Sequence, residues 1–521
     1  MAANKKIIFS LLCFTLQIYF SSLSFAQTYN NPILHEDYSD PDAIRVGDQY
    51  YMVASSFTSV PGLPILQSSD LVHWQLIGYA LDKLSPYEYY QKPHHGAGVW
   101  APSIRFHNGE FYIYYPDPEM GIYVVKTKNI LGKWSTPVLV SPGKGLIDPC
   151  PLWDEDGKVY LVHAYAGSRA GIKSVLAMKQ MNVSGTKIID EGKLIYDGHG
   201  IDPTVEGPKL YKRNGWYYIF APAGGVSTGW QIVLRSKNIY GPYERKKVME
   251  QGASKINGPH QGAWVQTNTN EDWFIHFQDK GAYGRITHLQ PMIWKNEWPV
   301  IGFDKDGDGV GEPVDSYTIP KTKLLKQASA LYNPALEFQW NVNFQPQWRM
   351  ALGNTYRQYA VVKQDSVKNL WNFPALYLAK IPAEKFELKT SINFTSLQKG
   401  ERAGFIVFGK SYAGIELKNT EKGLQLNYIE CIKADKGAQE LVTNLINDSA
   451  PSKIYIRLVM EPNAIAYFSY SIDGIHYITC PRPFQAEAGV WVGAKMGYYC
   501  SSETTTNDAG YMTVDAFSIL R

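Results

Sequence analysis

From residue 40 to residue 301 apolar and polar residues alternate in short runs, and one arrangement recurs five times. A Gly, Asn-Gly or Asp-Gly turn leads into a strand rich in Tyr, Phe and Trp: V-G-D-Q-Y-Y-M-V, H-N-G-E-F-Y-I-Y-Y, E-D-G-K-V-Y-L-V, R-N-G-W-Y-Y-I-F and N-E-D-W-F-I-H-F, beginning near Val46, His107, Glu155, Arg213 and Asn270. Asn-Gly and Asp-Gly between strand residues specify hairpins, because both central positions of a type I′ turn need positive φ. The spacing, roughly 50 to 60 residues, accommodates one four-stranded propeller blade with its loops. Apolar segments precede most of these strands (A-I-R-V, S-I-R-F, P-L-W-D, P-K-L-Y), and several are followed by a segment ending in an aromatic (D-L-V-H-W, I-L-G-K-W, I-Y-G-P-Y). A sheet this small cannot bury both its faces alone, and radial stacking solves that. The pattern predicts an all-β chain with a five-bladed β-propeller over residues 27–320; two unrelated sandwiches with independent hairpins are the alternative.

After Pro320 the rhythm changes. K-T-K-L-L-K-Q-A-S-A reads as a linker over residues 321–332, and the strands beyond it follow no blade period: F-E-L-K-T-S-I-N-F, A-G-F-I-V-F-G, I-Y-I-R-L-V-M, A-Y-F-S-Y-S-I-D-G-I-H-Y and M-T-V-D-A-F-S-I-L. They predict an antiparallel β-sandwich over residues 333–521.

The first 26 residues change the picture of where the protein works. Lys5 and Lys6, an apolar run from Ile7 to Phe20, and the small residues Ser24 and Ala26 read as a secretory signal, and the run is shorter than the ~20 residues a membrane span needs. The expected location is therefore secreted or periplasmic, with no integral membrane segment after cleavage. Formal net charge is +3 and falls to +1 when Lys5 and Lys6 leave with the signal; no basic run or tail stands out, which argues against nucleic acid as a partner. Of five cysteines, Cys150, Cys431, Cys480 and Cys500 remain, without metal-type spacing; the last three can hold at most one disulfide among them. Aromatics make up 14 % of the chain, with 36 Tyr and 14 Trp, which suits flat ligands with apolar C–H faces and polar edges, as sugars have.

Candidate chemistry lies at the strand starts, which line the channel of a propeller and converge from distant parts of the chain. Acids stand at the starts of three blades, read as consecutive: Asp40 in Y-S-D-P-D, Asp148 in L-I-D-P-C-P-L-W and Glu206 in T-V-E-G-P-K-L-Y. In Asp-Pro-Asp the first acid is expected to be extended and the second to suit a turn. Turn chemistry alone explains Asp42, but three acids at one end of a channel repel one another, a cost that folding has no reason to bear.

These segments carry a resemblance. Y-S-D-P-D-A-I-R-V-G-D-Q-Y-Y-M-V, P-G-L-P-I-L-Q-S-S-D-L-V-H-W, V-W-A-P-S-I-R-F, I-D-P and E-G-P-K-L-Y together resemble glycoside hydrolase family 43, the β-xylosidases and α-L-arabinofuranosidases, over essentially the whole mature length, with a concanavalin-like sandwich at the C-terminus. The resemblance implies hydrolysis with inversion, Asp40 as general base, Asp148 as orienting acid and Glu206 as general acid. Inversion asks for two carboxyl groups about 6.5 to 9.5 Å apart, one to deprotonate water and one to protonate the leaving oxygen. The acid must keep its proton near neutrality, which a neighbouring carboxylate favours, and the base must stay ionised, which asks for donors or a cation beside it.

The same resemblance implies that Arg285, at the start of the next inner segment, contacts the sugar, that His260 in N-G-P-H-Q-G lies on the channel axis where relatives hold water or a metal ion, and that Trp100 and Phe57 wall the pocket. A surface ion pair for Arg285, a core role for His260 and plain packing for the aromatics are the alternatives. The segment D-K-D-G-D-G-V-G-E places Asp304, Asp306 and Asp308 at positions one, three and five of an EF-hand-like loop, but lacks the bidentate Glu at position twelve and flanking helices; it is a candidate structural calcium site or a solvated acidic turn. The chemistry itself needs no cofactor. The expected partner is an oligosaccharide or polysaccharide of the xylan or arabinoxylan type, cut by exo-action to release xylose or arabinose. An endo-arabinanase on the same propeller and a non-catalytic sugar-binding propeller are the competing readings.

Overall fold

The computed structural model describes residues 27–323, 336–353, 355–364 and 366–521; the signal segment and residues 324–335, which include most of the expected linker, lie outside them. The chain is all-β, with five four-stranded antiparallel sheets in consecutive order followed by two eight-stranded sheets. The blades run Asp42–Val46 to Gln75–Leu81, Ser103–His107 to Val138–Pro142, Leu146–Trp153 to Lys193–Asp197, Lys209–Arg213 to Glu244–Glu250, and His260–Gln266 to Trp298–Ile301. Each of the five turns found by repetition joins the first and second strands of one blade. Asn108, Asn214 and Asn270 in them take positive φ, as their turn chemistry requires. The strand Thr28–Asn30 pairs with Ser316–Thr318, so the two ends of the propeller meet in one ribbon.

Hydrogen bonds link each blade to the next around the propeller. Asp42, fully buried, accepts the Ile104 N–H (2.8 Å) and an Arg105 N–H (2.7 Å), tying the first blade to the second. Arg105 also donates to Sγ of Cys150 in the third blade (2.7 Å), and the same sulfur accepts the Leu210 N–H of the fourth (3.1 Å). Tyr211 Oη accepts the Trp264 N–H of the fifth blade (3.1 Å), and Gln266 O accepts from Arg45, back in the first (3.0 Å). Asp42 is thus structural, but as an inter-blade tie at the head of its strand rather than as a turn acid.

The sandwich begins with Gln339–Trp340, and its core packs the apolar faces of strands such as Phe386–Thr395, Arg402–Phe408 and Lys453–Glu461. It is docked on the propeller by backbone pairing of Trp340 with Val60 (2.7 and 2.8 Å) and by Asn343, whose amide bonds the backbone of Leu84 and Tyr87. Cys150, Cys431, Cys480 and Cys500 are all buried free thiols. Among the described residues no helix is long and apolar enough to cross a membrane.

Candidate active site

A cavity of about 270 Å³ at the channel mouth is lined by Asp40, Asp148, Glu206, Arg285, His260, Trp100 and Phe57, so one pocket gathers seven residues scattered over 246 positions of sequence. Local backbone explains how. Asp148 sits in a bulge of the strand Leu146–Trp153, where the register with the next strand jumps between Ile147 and Cys150; a second bulge at Gln261 interrupts His260–Gln266. Bulges re-aim single side chains without ending the strand. Asp40 and Asp148 are not extended, as residues before proline usually are, but take positive φ (56° and 57°). Among the described residues, seventeen non-glycine residues have positive φ, and seven of them (Asp40, Phe57, Asp148, Ser174, Thr204, Gln261 and Trp491) line this pocket. Backbone strain of this sort persists where side-chain placement matters more than local comfort.

Asp40, 4 % exposed, accepts from Ser55 Oγ (2.5 Å) and lies 3.4 Å from the Arg285 guanidinium, so it has the donor and the cation that an ionised base needs. Asp148 is sealed at 1 % exposure and accepts the Gly207 N–H (2.7 Å). Burial first, and then the carboxylates of Glu206 and Asp40, hold its carboxyl well above the usual carboxylate range, with the Gly207 N–H and Lys209 pulling the other way. Like-charge repulsion therefore expresses itself on Asp148, the most buried of the three. Lys209 lies beneath the pocket floor, fully buried, donating to Pro102 O (2.7 Å) and Ser103 Oγ (2.9 Å). Glu206 reaches into the cavity with its side chain 28 % exposed and bonds His260 Nε2 at 2.8 Å.

Arg285 begins the third strand of the fifth blade, Arg285–Lys295, not an inner strand; His260 heads the inner one. Its guanidinium lies over Phe277 at 4.9 Å and over Trp491 at 5.7 Å. Phe57 and Trp100 face each other at 6.4 Å, and Trp491 meets Trp100 at the same distance. Phe57 is fixed by a reciprocal backbone pair with Val99, a contact that only glycine at position 98 permits, since a Cβ there would lie 2.3 Å from Phe57 O. Trp491 escaped the reading of the sequence: it sits in the sandwich, 206 residues beyond Arg285, in a loop with no motif. Gln261, Lys173 and Tyr165 also line the pocket without a signal that singled them out.

The acidic segment lies elsewhere. Asp304 accepts the Gly307 N–H (2.8 Å) and the Gly309 N–H (3.2 Å) and lies 3.4 Å from Lys295 Nζ, while Asp308 accepts the Val310 N–H (2.8 Å). Among the described residues no three His, Cys, Asp or Glu side chains come together as metal ligands, and Asp304, Asp306 and Asp308 form no such group. The oxygens of Asp304 and Asp308 close a turn.

Comparison with known proteins shows the family and the fold. The profile of glycosyl hydrolases family 43 matches residues 29–299, and that of the beta xylosidase C-terminal concanavalin A-like domain matches residues 332–519. A putative beta-xylosidase of Xylanibacter ruminicola is 37 % identical over 481 residues, covering 90 % of this chain and 86 % of the relative. A beta-xylosidase of Formosa agariphila is 31 % identical over 553 residues (94 % and 90 %), and a non-reducing end alpha-L-arabinofuranosidase of Bacteroides ovatus is 34 % identical over 319 residues (57 % and 58 %). The fold matches a family 43 protein of Bacillus licheniformis with a TM-score of 0.79 at 23 % identity, over 95 % of this chain and all of that one. The chain belongs to glycosyl hydrolases family 43 and is a glycoside hydrolase, built of that family's propeller and the C-terminal concanavalin-like domain of beta-xylosidases.

Proposed function

We propose that the protein is an exported, exo-acting β-xylosidase that hydrolyses xylan fragments with inversion of configuration. The observation that carries this reading is the convergence of Asp40, Asp148 and Glu206, from three blades, in one aromatic-walled cavity beside Arg285. Asp40, beside Arg285 and Ser55, takes a proton from a water molecule as the oxygen of that water bonds the anomeric carbon. Glu206 gives its proton to the glycosidic oxygen as the bond from that oxygen to the anomeric carbon breaks, so the electron pair leaves on a neutral hydroxyl. Asp148 interacts electrostatically with both and orients them. Trp491, projecting from the sandwich over the pocket, supports exo-action because it narrows the mouth where a continuing chain would pass. The basic start and apolar run of residues 1–26 support export to the periplasm or beyond.

The test follows the anomeric protons by NMR while 4-nitrophenyl β-xyloside turns over. α-Xylose is expected first; β-xylose first would refute inversion, and Asp40→Asn and Glu206→Gln enzymes of undiminished rate would refute the assignment of the pocket. A second reading, release of α-L-arabinofuranose, is favoured by the name of the Bacteroides ovatus relative, and the matching arabinofuranoside in the same assay separates the two. End-labelled xylotetraose distinguishes exo from endo cleavage, since an endo enzyme releases dimers before monomer.

A further inference from the structure

Asp37 precedes Asp40 by three residues, is 7 % exposed, and does not line the cavity. Its two oxygens are divided between two structural units. Oδ1 accepts the backbone N–H of Arg285 (2.9 Å) and the hydroxyl of Ser39 (3.1 Å), while Oδ2 accepts the backbone N–H of Gly493 (2.8 Å), in the sandwich loop that carries Trp491. The fit leaves no slack. A Cβ on Gly284 would lie 2.4 Å from Asp37 Cγ, and a Cβ on Gly493 would lie 2.7 Å from Gly284 N, so both glycines are needed for the three segments to meet. The contact continues with Ala494 N–H on Ala282 O (2.7 Å) and Lys495 Nζ on Ser59 Oγ (2.6 Å). Arg285 is thereby held beside Asp40, and Trp491, two residues before Gly493 and at φ 64°, is held across from its guanidinium.

We propose that Asp37 is a positioning residue for the hydrolytic pocket: one carboxylate sets the sugar-facing arginine of the propeller and the tryptophan wall supplied by the sandwich in a single register. A carboxylate suits the task because it offers acceptors on both oxygens, whereas an amide of the same shape turns one of them into a donor facing an N–H. The misplacement that follows is small in distance and large in effect, since pocket walls act through sub-ångström complementarity. The inference rests on the glycosidase reading of the pocket given above, and goes beyond it by assigning a role to a residue that touches no substrate.

The experiment is a double-mutant cycle on the full chain with 4-nitrophenyl β-xyloside. Asp37→Asn is expected to raise KM about tenfold with kcat within about threefold, and to raise KM only about threefold when Trp491→Ala is already present, because of the two groups it positions only Arg285 then remains. Penalties that add across the two backgrounds, or a KM that Asp37→Asn leaves alone, would overturn the proposal, as a residue of purely structural importance moves stability equally in both. Should Asp37→Asn fail to fold, Asp37→Glu keeps the charge and both acceptors but displaces them by a methylene, and the same cycle with the same two outcomes applies. Inactive Asp40→Asn and Glu206→Gln enzymes beside an additive cycle would sink this inference alone; active ones would sink the pocket assignment first.

Discussion

Nε2 of His260 lies 2.8 Å from Oε1 of Glu206, and the other nitrogen of the same buried imidazole has no protein partner among the described residues. The hydrogen bond aims a carboxyl whose side chain is otherwise free to swing in a partly open pocket. General acids contribute about 10²- to 10⁴-fold, most where the leaving group is a poor one. Glu206→Gln is expected to lose roughly 10³-fold on xylobiose and far less on a dinitrophenyl xyloside, whose phenolate leaves unaided. His260→Ala is expected to follow the same ordering at about a tenth of the size on a logarithmic plot of kcat/KM against leaving-group acidity. A His260→Ala plot parallel to the wild-type plot would show that the histidine does not act through Glu206.

Asp148 stores destabilisation. A carboxyl held higher in the folded than in the unfolded chain binds its proton more tightly when folded, so its contribution to stability falls as pH rises from near 3.8 through its folded value. At neutral pH this carboxyl is a cost, set by its burial and by the neighbouring Glu206 and Asp40. Asp148→Asn keeps an oxygen for the Gly207 N–H and removes the charge, so the propeller's unfolding midpoint is expected to rise by a few degrees while activity falls by orders of magnitude. A midpoint that drops, measured by calorimetry at pH 7, would mean that the charge is compensated by Lys209 after all.

Acid is expected to unfold this protein through its buried histidines. Burial holds His163 and His276 down to about 4 and pushes His288 well below its ordinary value, and all three are at most 1 % exposed. For a group held lower folded than unfolded, the stability is complete above the unfolded value of 6.5 and is lost as pH falls toward the folded one. For His163 and His276 the loss reaches about 3 kcal/mol apiece between pH 6.5 and 4, which is large against a typical stability of 5 to 15 kcal/mol. His163 carries an unpartnered Nε2, so His163→Leu tests the account: the slope of midpoint against pH should become shallower in that range, and an unchanged slope would exclude the histidine as a source.

The Asp42–Arg105 pair offers a contrast between breaking and replacing a buried ion pair. Asp42→Ala leaves the Arg105 guanidinium, with Cys150 its remaining side-chain bond, in a buried seam and is expected to cost about 3 to 5 kcal/mol. Asp42→Leu with Arg105→Met removes both charges and is expected to recover most of that. Equal losses in the single and double variants, measured by urea unfolding, would show that the backbone bond to Ile104, not the charge pair, carries the tie.

The sequence alone determined the periodic part of this protein: five hairpins, the sandwich after Pro320, and three acids at strand starts. These follow from local chemistry, since turn residues demand particular φ values and alternating side chains demand a buried face. Other features belong to the tertiary structure because they depend on which distant segments share a volume. Arg285 sits on a third strand rather than an inner one, Asp40 and Asp148 take positive φ although each precedes a proline, and the oxygens of Asp304 accept the N–H groups of Gly307 and Gly309. Trp491 and Asp37 show the limit most clearly. Neither belongs to a motif, and their relation exists only because docking the sandwich brings Gly493 against Gly284, where a carboxylate from the first loop can reach both backbones.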